Sequence, residues 1–222
     1  MSSLSKSHGN MYPWVTHMWP PIVGCEYQCK YCYVKTFRDQ PIAPRLNGDF
    51  PKLGKGKTIF VAHMCDMFAR TVPKLWIELI LKHCAGSPDN VYVFQSKNPD
   101  RFREFIPLMP PQRMLGTTIE TNRENLVAII SAAPSPLQRA RAMHVLSIGN
   151  DTFITIEPIL QFDLEEFIRL IVAARPGFVN IGADSKGHNL PEPTREQVVS
   201  LIDALTKANV EIRQKTNLAR LK

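Results

Sequence analysis

Two absences narrow the field before any single residue matters. No uninterrupted apolar run approaches the ~20 residues that cross a bilayer. The opening MSSLSKSHGN has no apolar core of a secretory leader. Cysteine is scarce as well, with five residues in 222, and the count is odd. A small secreted domain stapled by disulfides would use an even number behind a signal peptide. The expected compartment is therefore a reducing cytoplasm, where clustered cysteines more often bind metal. Neither an internal repeat nor a low-complexity tract is evident. Hydrophobic residues make up 44% and charged residues 21%, enough to bury one full core, so residues 1–222 are read as a single domain.

Against that scarcity, three of the five cysteines crowd into GCEYQCKYCYV, as Cys25, Cys29 and Cys32. A structural zinc site closes with four ligands, usually two separated Cys pairs. Here one C-x-x-C exists, and Cys65 and Cys84 stand alone. Thiolates are also the usual ligands of a [4Fe–4S] cluster. Three on one short loop would hold three irons and leave the fourth open to a ligand. The loop resembles the hallmark of the radical SAM superfamily, C-x-x-x-C-x-aromatic-C, with Tyr31 in the aromatic position. By that resemblance the open iron binds the amino and carboxylate groups of S-adenosylmethionine. An external one-electron reductant, flavodoxin- or ferredoxin-like, supplies the electron. Cleavage then gives a 5′-deoxyadenosyl radical that takes a hydrogen from a substrate.

Beyond the loop, short β-branched or aromatic runs alternate with helical patterns. The runs are HMWPPIVG, KTIFVAHM, NVYVFQSK, RMLGTTIE, TFITIEPI, FVNIGADS and VEIRQK. Between them stand VPKLWIELILKHCAG, PDRFREFIPL, NRENLVAIISAA, DLEEFIRLIVAA and TREQVVSLIDALTKA. In the last two, apolar residues recur at helical spacing. Such alternation argues for α/β architecture with a parallel sheet. Six to seven βα units in this length fit a partial, open TIM barrel, also the usual fold of the superfamily. The cluster loop would follow the first strand, at the face where such barrels carry their chemistry. The stretch QPIAPRLNGDFPKLGKGK reads as a long surface loop.

Polar residues at the strand ends supply the candidate site. Cys65 and Asp66 follow the second run, Lys97 the third, Thr118, Glu120 and Asn122 the fourth. Glu157 follows the fifth, Asp184 and Ser185 the sixth, Gln214 and Lys215 the last. Helix capping would also suit Asp66, Asn98, Asn122 and Ser185. Read in order, CDMF, SKNPDRF, TIE, IEPIL, IGADS and RQK resemble one branch of the superfamily, a family of short phage and prophage proteins without an assigned reaction. IGADS departs from that branch's x-G-G-E-S, and the order of lysine and glutamine near the end is altered. The cysteine loop is also similar to that of spore photoproduct lyases, DNA-repair relatives.

The resemblance implies that Tyr31 lies near the adenine and that Asp66, Thr118, Glu120, Asn122, Glu157, Asp184 and Ser185 contribute to holding the cofactor. Lys97 would offset a carboxylate or meet a substrate phosphate. Cys65 could return a hydrogen atom to a product radical, whereas Cys84 reads as packing. Net charge is +7, which favours anionic partners. Basic residues recur in KLGKGK (Lys52, Lys55, Lys57), QRARAMH and the tail. The expected substrate is a nucleic-acid base, in phage DNA or a free nucleotide, flipped out of any duplex. Two other classes stay open: a non-catalytic iron–sulfur protein for electron transfer or regulation, and a nucleic-acid-binding module with a structural metal.

Overall fold

The computed structural model describes residues 4–222. Ten strands are present in chain order: β1 (Ser5–Lys6), β2 (His17–Trp19), β3 (Ile22–Val23), β4 (Arg45–Leu46), β5 (Thr58–Val61), β6 (Val91–Gln95), β7 (Arg113–Thr118), β8 (Asp151–Ile156), β9 (Phe178–Ile181) and β10 (Glu211–Gln214). Eight of them form one sheet in the order β1-β2-β5-β6-β7-β8-β9-β10. All pairings from β2 to β10 are parallel, and β1 pairs antiparallel with β2. The sheet is not closed, since β1 and β10 are its two ends. The fold is thus α/β with a mostly parallel sheet.

Five α-helices link the strands: α1 (Lys74–Ala85), α2 (Glu124–Ile130), α3 (Pro136–Leu146), α4 (Leu164–Ala173) and α5 (Arg195–Lys207). α5 starts on a capping box in which Thr194 and Gln197 exchange side-chain and backbone bonds. The run PDRFREFIPL, which reads as an α-helix, instead forms two 3-10 turns, Pro99–Glu104 and Ile106–Leu108. Pro107 has no N–H to continue a helical ladder. HMWPPIVG is likewise split. Pro20 and Pro21 end β2, and Ile22–Val23 pairs instead with Arg45–Leu46, inside the stretch read as a loop.

Period-2 alternation sorts the strand residues onto two faces. Ile59, Val61, Tyr92, Phe94, Leu115, Ile154, Ile156, Val179 and Ile181 join the main core with the helices. Phe60, Val93, Phe153 and Phe178 face the other way. That second face is covered by the chain's own segment Met11–Val15. Tyr12 stacks on Trp14 at 5.1 Å, and both rings meet Phe153 edge-on. Gly116, mid-strand in β7, makes room for Phe153, because a Cβ there would lie 2.2 Å from that ring. The aromatic cover lies over Phe60, Val93, Phe153 and Phe178. Polar side chains follow it on the same face towards the carboxyl ends. Among the described residues, no helix is long and apolar enough to cross a membrane.

Candidate cofactor site at the carboxyl ends of the strands

The cysteine loop leaves the sheet after β2 and the short β3, and local bonds hold its path. Gly24 adopts φ +86°, and a Cβ there would sit 2.3 Å from the Ala43 carbonyl. No other residue fits this close approach. The Cys25 N–H donates to Pro41 O, and Gln28 Nε2 donates to the carbonyls of Cys25 and Gln40. On the far side, Lys30 N donates to Ile130 O and Ala132 N to Tyr27 O. Lys35 Nζ ties the carbonyls of Gln28 and Cys29 together. The loop is therefore clasped between residues 40–43 and 130–132.

All three thiols are unpaired; Cys29 is buried, and Cys25 and Cys32 are half-buried. Cys29 Sγ lies 3.1 Å from Ser131 Oγ. Burial, with the Asp66 carboxylate nearby, pushes the Cys25 thiol up to about 12, and burial also raises Cys32. Thiols in such a place ionise only if a strong positive charge arrives, which is what a bound metal supplies. Among the described residues, no three His, Cys, Asp or Glu side chains converge so as to hold a single ion. A cube asks instead that each thiolate reach its own iron on one shared cluster. The donor set, three thiols on one clasped loop, fits a [4Fe–4S] cluster.

Beside the loop lies a buried ionic cluster centred on Glu120, just past β7. The carboxylate has no exposed surface. It accepts a short bond from Tyr31 Oη, one from Arg139 Nη1 at 2.8 Å, and an ion pair from Lys97 Nζ at 3.1 Å. Burial alone would raise its pKa, but Arg139, Lys97 and the tyrosine bond hold it well below the usual carboxylate range. Lys97 Nζ also lies 5.2 Å from the Tyr31 ring centre. Arg139 is fully buried too, bonded to the carbonyls of Thr118 and Pro134. Thr118 is buried, its hydroxyl accepting from Gln95 Nε2 at 2.9 Å. The structure therefore brings Tyr31, Lys97, Thr118 and Glu120 together against the cysteine loop.

Glu157, past β8, anchors a second cluster. Its carboxylate accepts from Asn10 Nδ2 and Asn217 Nδ2, each at 2.7 Å, and from Lys215 Nζ at 2.6 Å. Gly182 leaves room beneath it, since a Cβ would come 2.7 Å from Glu157 Oε1 and push that carboxylate aside. Asn217 also lines a cleft of about 770 Å³ between the turn at 216–220 and the loop at 184–192. Ser185, exposed, is on its rim.

Other candidates are engaged elsewhere. Asp66 is buried and accepts from Phe68 N, Ser96 Oγ and Lys97 N, which stitches the end of β5 to that of β6. Asn122 bonds Asp163 and Glu166 at the start of α4. Asp184 closes its own loop through Lys186 N and the His188 ring, which holds its pKa low despite burial. Cys65 is half-buried and close enough to Cys25 and Asp66 that they, after burial itself, push its thiol well up. Gln214 is exposed, with its oxygen taken by Lys222.

Two corrections concern charge. QRARAMH is part of α3, and while Arg141 is exposed, Arg139 points into the core and adds nothing to a basic surface. The loop bearing Lys52, Lys55 and Lys57 precedes β5, so it lies at the amino ends of the strands, opposite the cysteines. There Lys57 Nζ donates to Leu53 O, and Lys55 pairs with Asp89. Sequence reasoning also passed over His63. Its Nδ1 is buried without a bonding partner among the described residues, and burial lowers its pKa to about 4.

Comparisons with known proteins bear on this geometry. A family model described as "Protein of unknown function (DUF5131)" matches residues 39–212, and the chain belongs to that family. The match begins after the three clustered cysteines. No curated protein matches the chain in sequence. In fold it is similar to a variant of spore photoproduct lyase, with TM-score 0.68, 10% identity, and 94% of this chain covering 78% of that one. A second spore photoproduct lyase variant, solved with bound AdoMet and dinucleoside spore photoproduct, gives TM-score 0.60 at 13% identity, covering 90% of this chain and 64% of that one. SuiB of Streptococcus suis, bound to S-adenosylmethionine, gives 0.63 at 10% identity, covering 89% of this chain and 49% of that one. This chain therefore spans between half and about four fifths of those proteins.

Proposed function

We propose that the protein is a radical S-adenosylmethionine enzyme, its open sheet serving as a partial barrel. One observation carries the reading. Three unpaired thiols at spacings of four and three sit on a clasped loop at the carboxyl ends of parallel strands, against a buried Tyr31–Glu120–Lys97 cluster. A fold shared with two proteins solved with S-adenosylmethionine supports it. Cys25, Cys29 and Cys32 would hold a [4Fe–4S] cluster, which when bound supplies one-electron reduction of the sulfonium and so a carbon radical for hydrogen abstraction.

The chain's own residues bind, orient and exclude water. Glu120, fixed by Arg139, holds the Tyr31 ring as a platform for the adenine. Lys97 presents its ammonium to the methionine carboxylate or to a substrate phosphate. Thr118 and Glu157 offer acceptors to ribose hydroxyls and the amino group. Asp66, Asn122 and Asp184 act indirectly by fixing the loops around the site. Ser185 would meet a substrate that enters by the cleft it lines, and Cys65 would return a hydrogen atom to the product radical. A base in DNA or a nucleotide is the substrate favoured by the net charge of +7. An external one-electron carrier is required.

Anaerobic reconstitution tests this reading. About four irons and four sulfides should bind, and dithionite with S-adenosylmethionine should yield 5′-deoxyadenosine. Changing Cys25, Cys29 or Cys32 to alanine should abolish both. A variant of any of the three that cleaves at the wild-type rate would sink the assignment. Cys65→Ala should keep its cluster yet give altered or stalled product, whereas Cys84→Ala should behave as wild type.

A further inference from the structure

The segment that leaves the cysteine loop carries exposed apolar and cationic side chains in an uncommon mixture. Directly after Cys32, a 3-10 turn spans Tyr33–Thr36. Tyr33 and Phe37 face the same way, their rings 6.0 Å apart, and are 39% and 58% exposed. Ile42, further on, is 64% exposed. Single exposed hydrophobics need no explanation, but three within ten residues of a metal-binding loop do. Lys30, Lys35, Arg38 and Arg45 are all exposed on the same stretch, against two carboxylates, Glu26 and Asp39. Lys35 serves the loop internally, and Arg38 donates to the Met64 sulfur at 3.7 Å with no ion-pair partner among the described residues. Among the described residues, the side chains of Lys30 and Arg45 have no ion-pair partner. The stretch thus combines exposed apolar side chains with a net positive charge, the mixture found at transient protein interfaces.

We propose that this face docks an acidic one-electron carrier protein. The inference rests on the proposed function, which needs electrons delivered from outside. Position favours a carrier over the substrate. The turn bearing Tyr33 follows Cys32 directly, whereas in the proposed reaction the substrate must reach Lys97, Glu120 and Glu157 at the strand ends. A positive rim meeting a negative partner raises the encounter rate and sets orientation, and its effect weakens with salt. Phe37 and Ile42 would then exclude water at the centre.

The test uses the reconstituted holoprotein and a plant-type ferredoxin as probe. Binding is measured by calorimetry, and cluster reduction by the bleaching of its visible absorbance, with dithionite as a small reductant that needs no docking. A variant carrying Lys30→Glu, Arg38→Glu and Arg45→Glu should bind the ferredoxin at least tenfold more weakly. It should lose tenfold or more in the second-order rate of reduction, and most of that rate's salt dependence. Phe37→Ala should weaken binding by about tenfold while leaving the salt dependence intact. Dithionite should reduce every variant at the wild-type rate. Unchanged ferredoxin binding and reduction in the triple variant would overturn the proposal, as would an equal loss with dithionite. Weaker binding of a short DNA duplex by the triple variant, with the ferredoxin rate untouched, would assign the face to nucleic acid instead. A wild-type protein whose cluster dithionite cannot reduce would remove the proposed function itself, and this proposal with it.

Discussion

Glu120 and Glu157 end neighbouring strands of one sheet, each with a lysine and amide or phenol donors about it, yet their surroundings differ. Glu120 is sealed, and its main partner, Arg139, is sealed with it. Glu157 keeps 16% of its side chain exposed and is held by residues from far along the chain, Asn10, Lys215 and Asn217. A buried ion pair has given up its water, so losing one member strands the other at high cost. A pair that keeps some contact with water can replace a lost protein partner by solvent at lower cost than a sealed one. Burial thus separates the two: Glu120 ties the cysteine loop down through Tyr31, and Glu157 joins segments far apart in the chain.

The sharpest way to break this contrast is Arg139→Ala. It strands the Glu120 charge and should cost about 3–5 kcal/mol, or roughly 6–20 °C in melting temperature for a domain of this size. Urea midpoints would show it. A loss under about 1 kcal/mol would mean that Glu120 is not locked as described.

Acid titration comes next. Glu120's folded pKa lies below its unfolded value of about 4.3, so the stability it adds is fully present above that value. It is lost as the pH falls through the depressed folded pKa. The stability difference between wild type and Glu120→Gln should therefore be flat at neutral pH and shrink only in strong acid. A difference that vanished near pH 6 would contradict the cluster.

The smallest effect belongs to the open pair. Asn10→Ala removes one exposed bond to Glu157 and should cost no more than about 1 kcal/mol, with a nearly unchanged melt. A loss on the scale of Arg139→Ala would erase the distinction.

The same division explains what could be read in advance. Seven runs of β-branched and aromatic residues became the seven parallel strands, because period-2 burial on both faces leaves a plain trace. The thiols were legible from spacing alone. Arg139 was not, since a charged residue in QRARAMH looks solvated until its burial against Glu120 is known. One local signal was available: Ser135 and Gln138 form a capping box with Pro136 at the first turn, and Ser-Pro-x-Gln announces a helix start. Asp66, Asn122 and Asp184 were found at strand ends, but whether an acceptor faces inward or ties its own loop depends on backbone turns that no spacing encodes. The two-residue strand β1 and the β3–β4 hairpin were too short to show a period.

The cover over the sheet's inner face has a consequence for how the chain is made. Tyr12 and Trp14 rest on Phe153 and Phe178, and Asn10 reaches Lys215, 205 positions away. At ribosomal speeds of 5–20 residues per second, about 10–40 s pass between the synthesis of Asn10 and that of Lys215. Through that interval two large aromatic side chains wait without their partners, while the strands they will cover are still being made. The segment thus settles only after partners as many as 205 positions further along have been made.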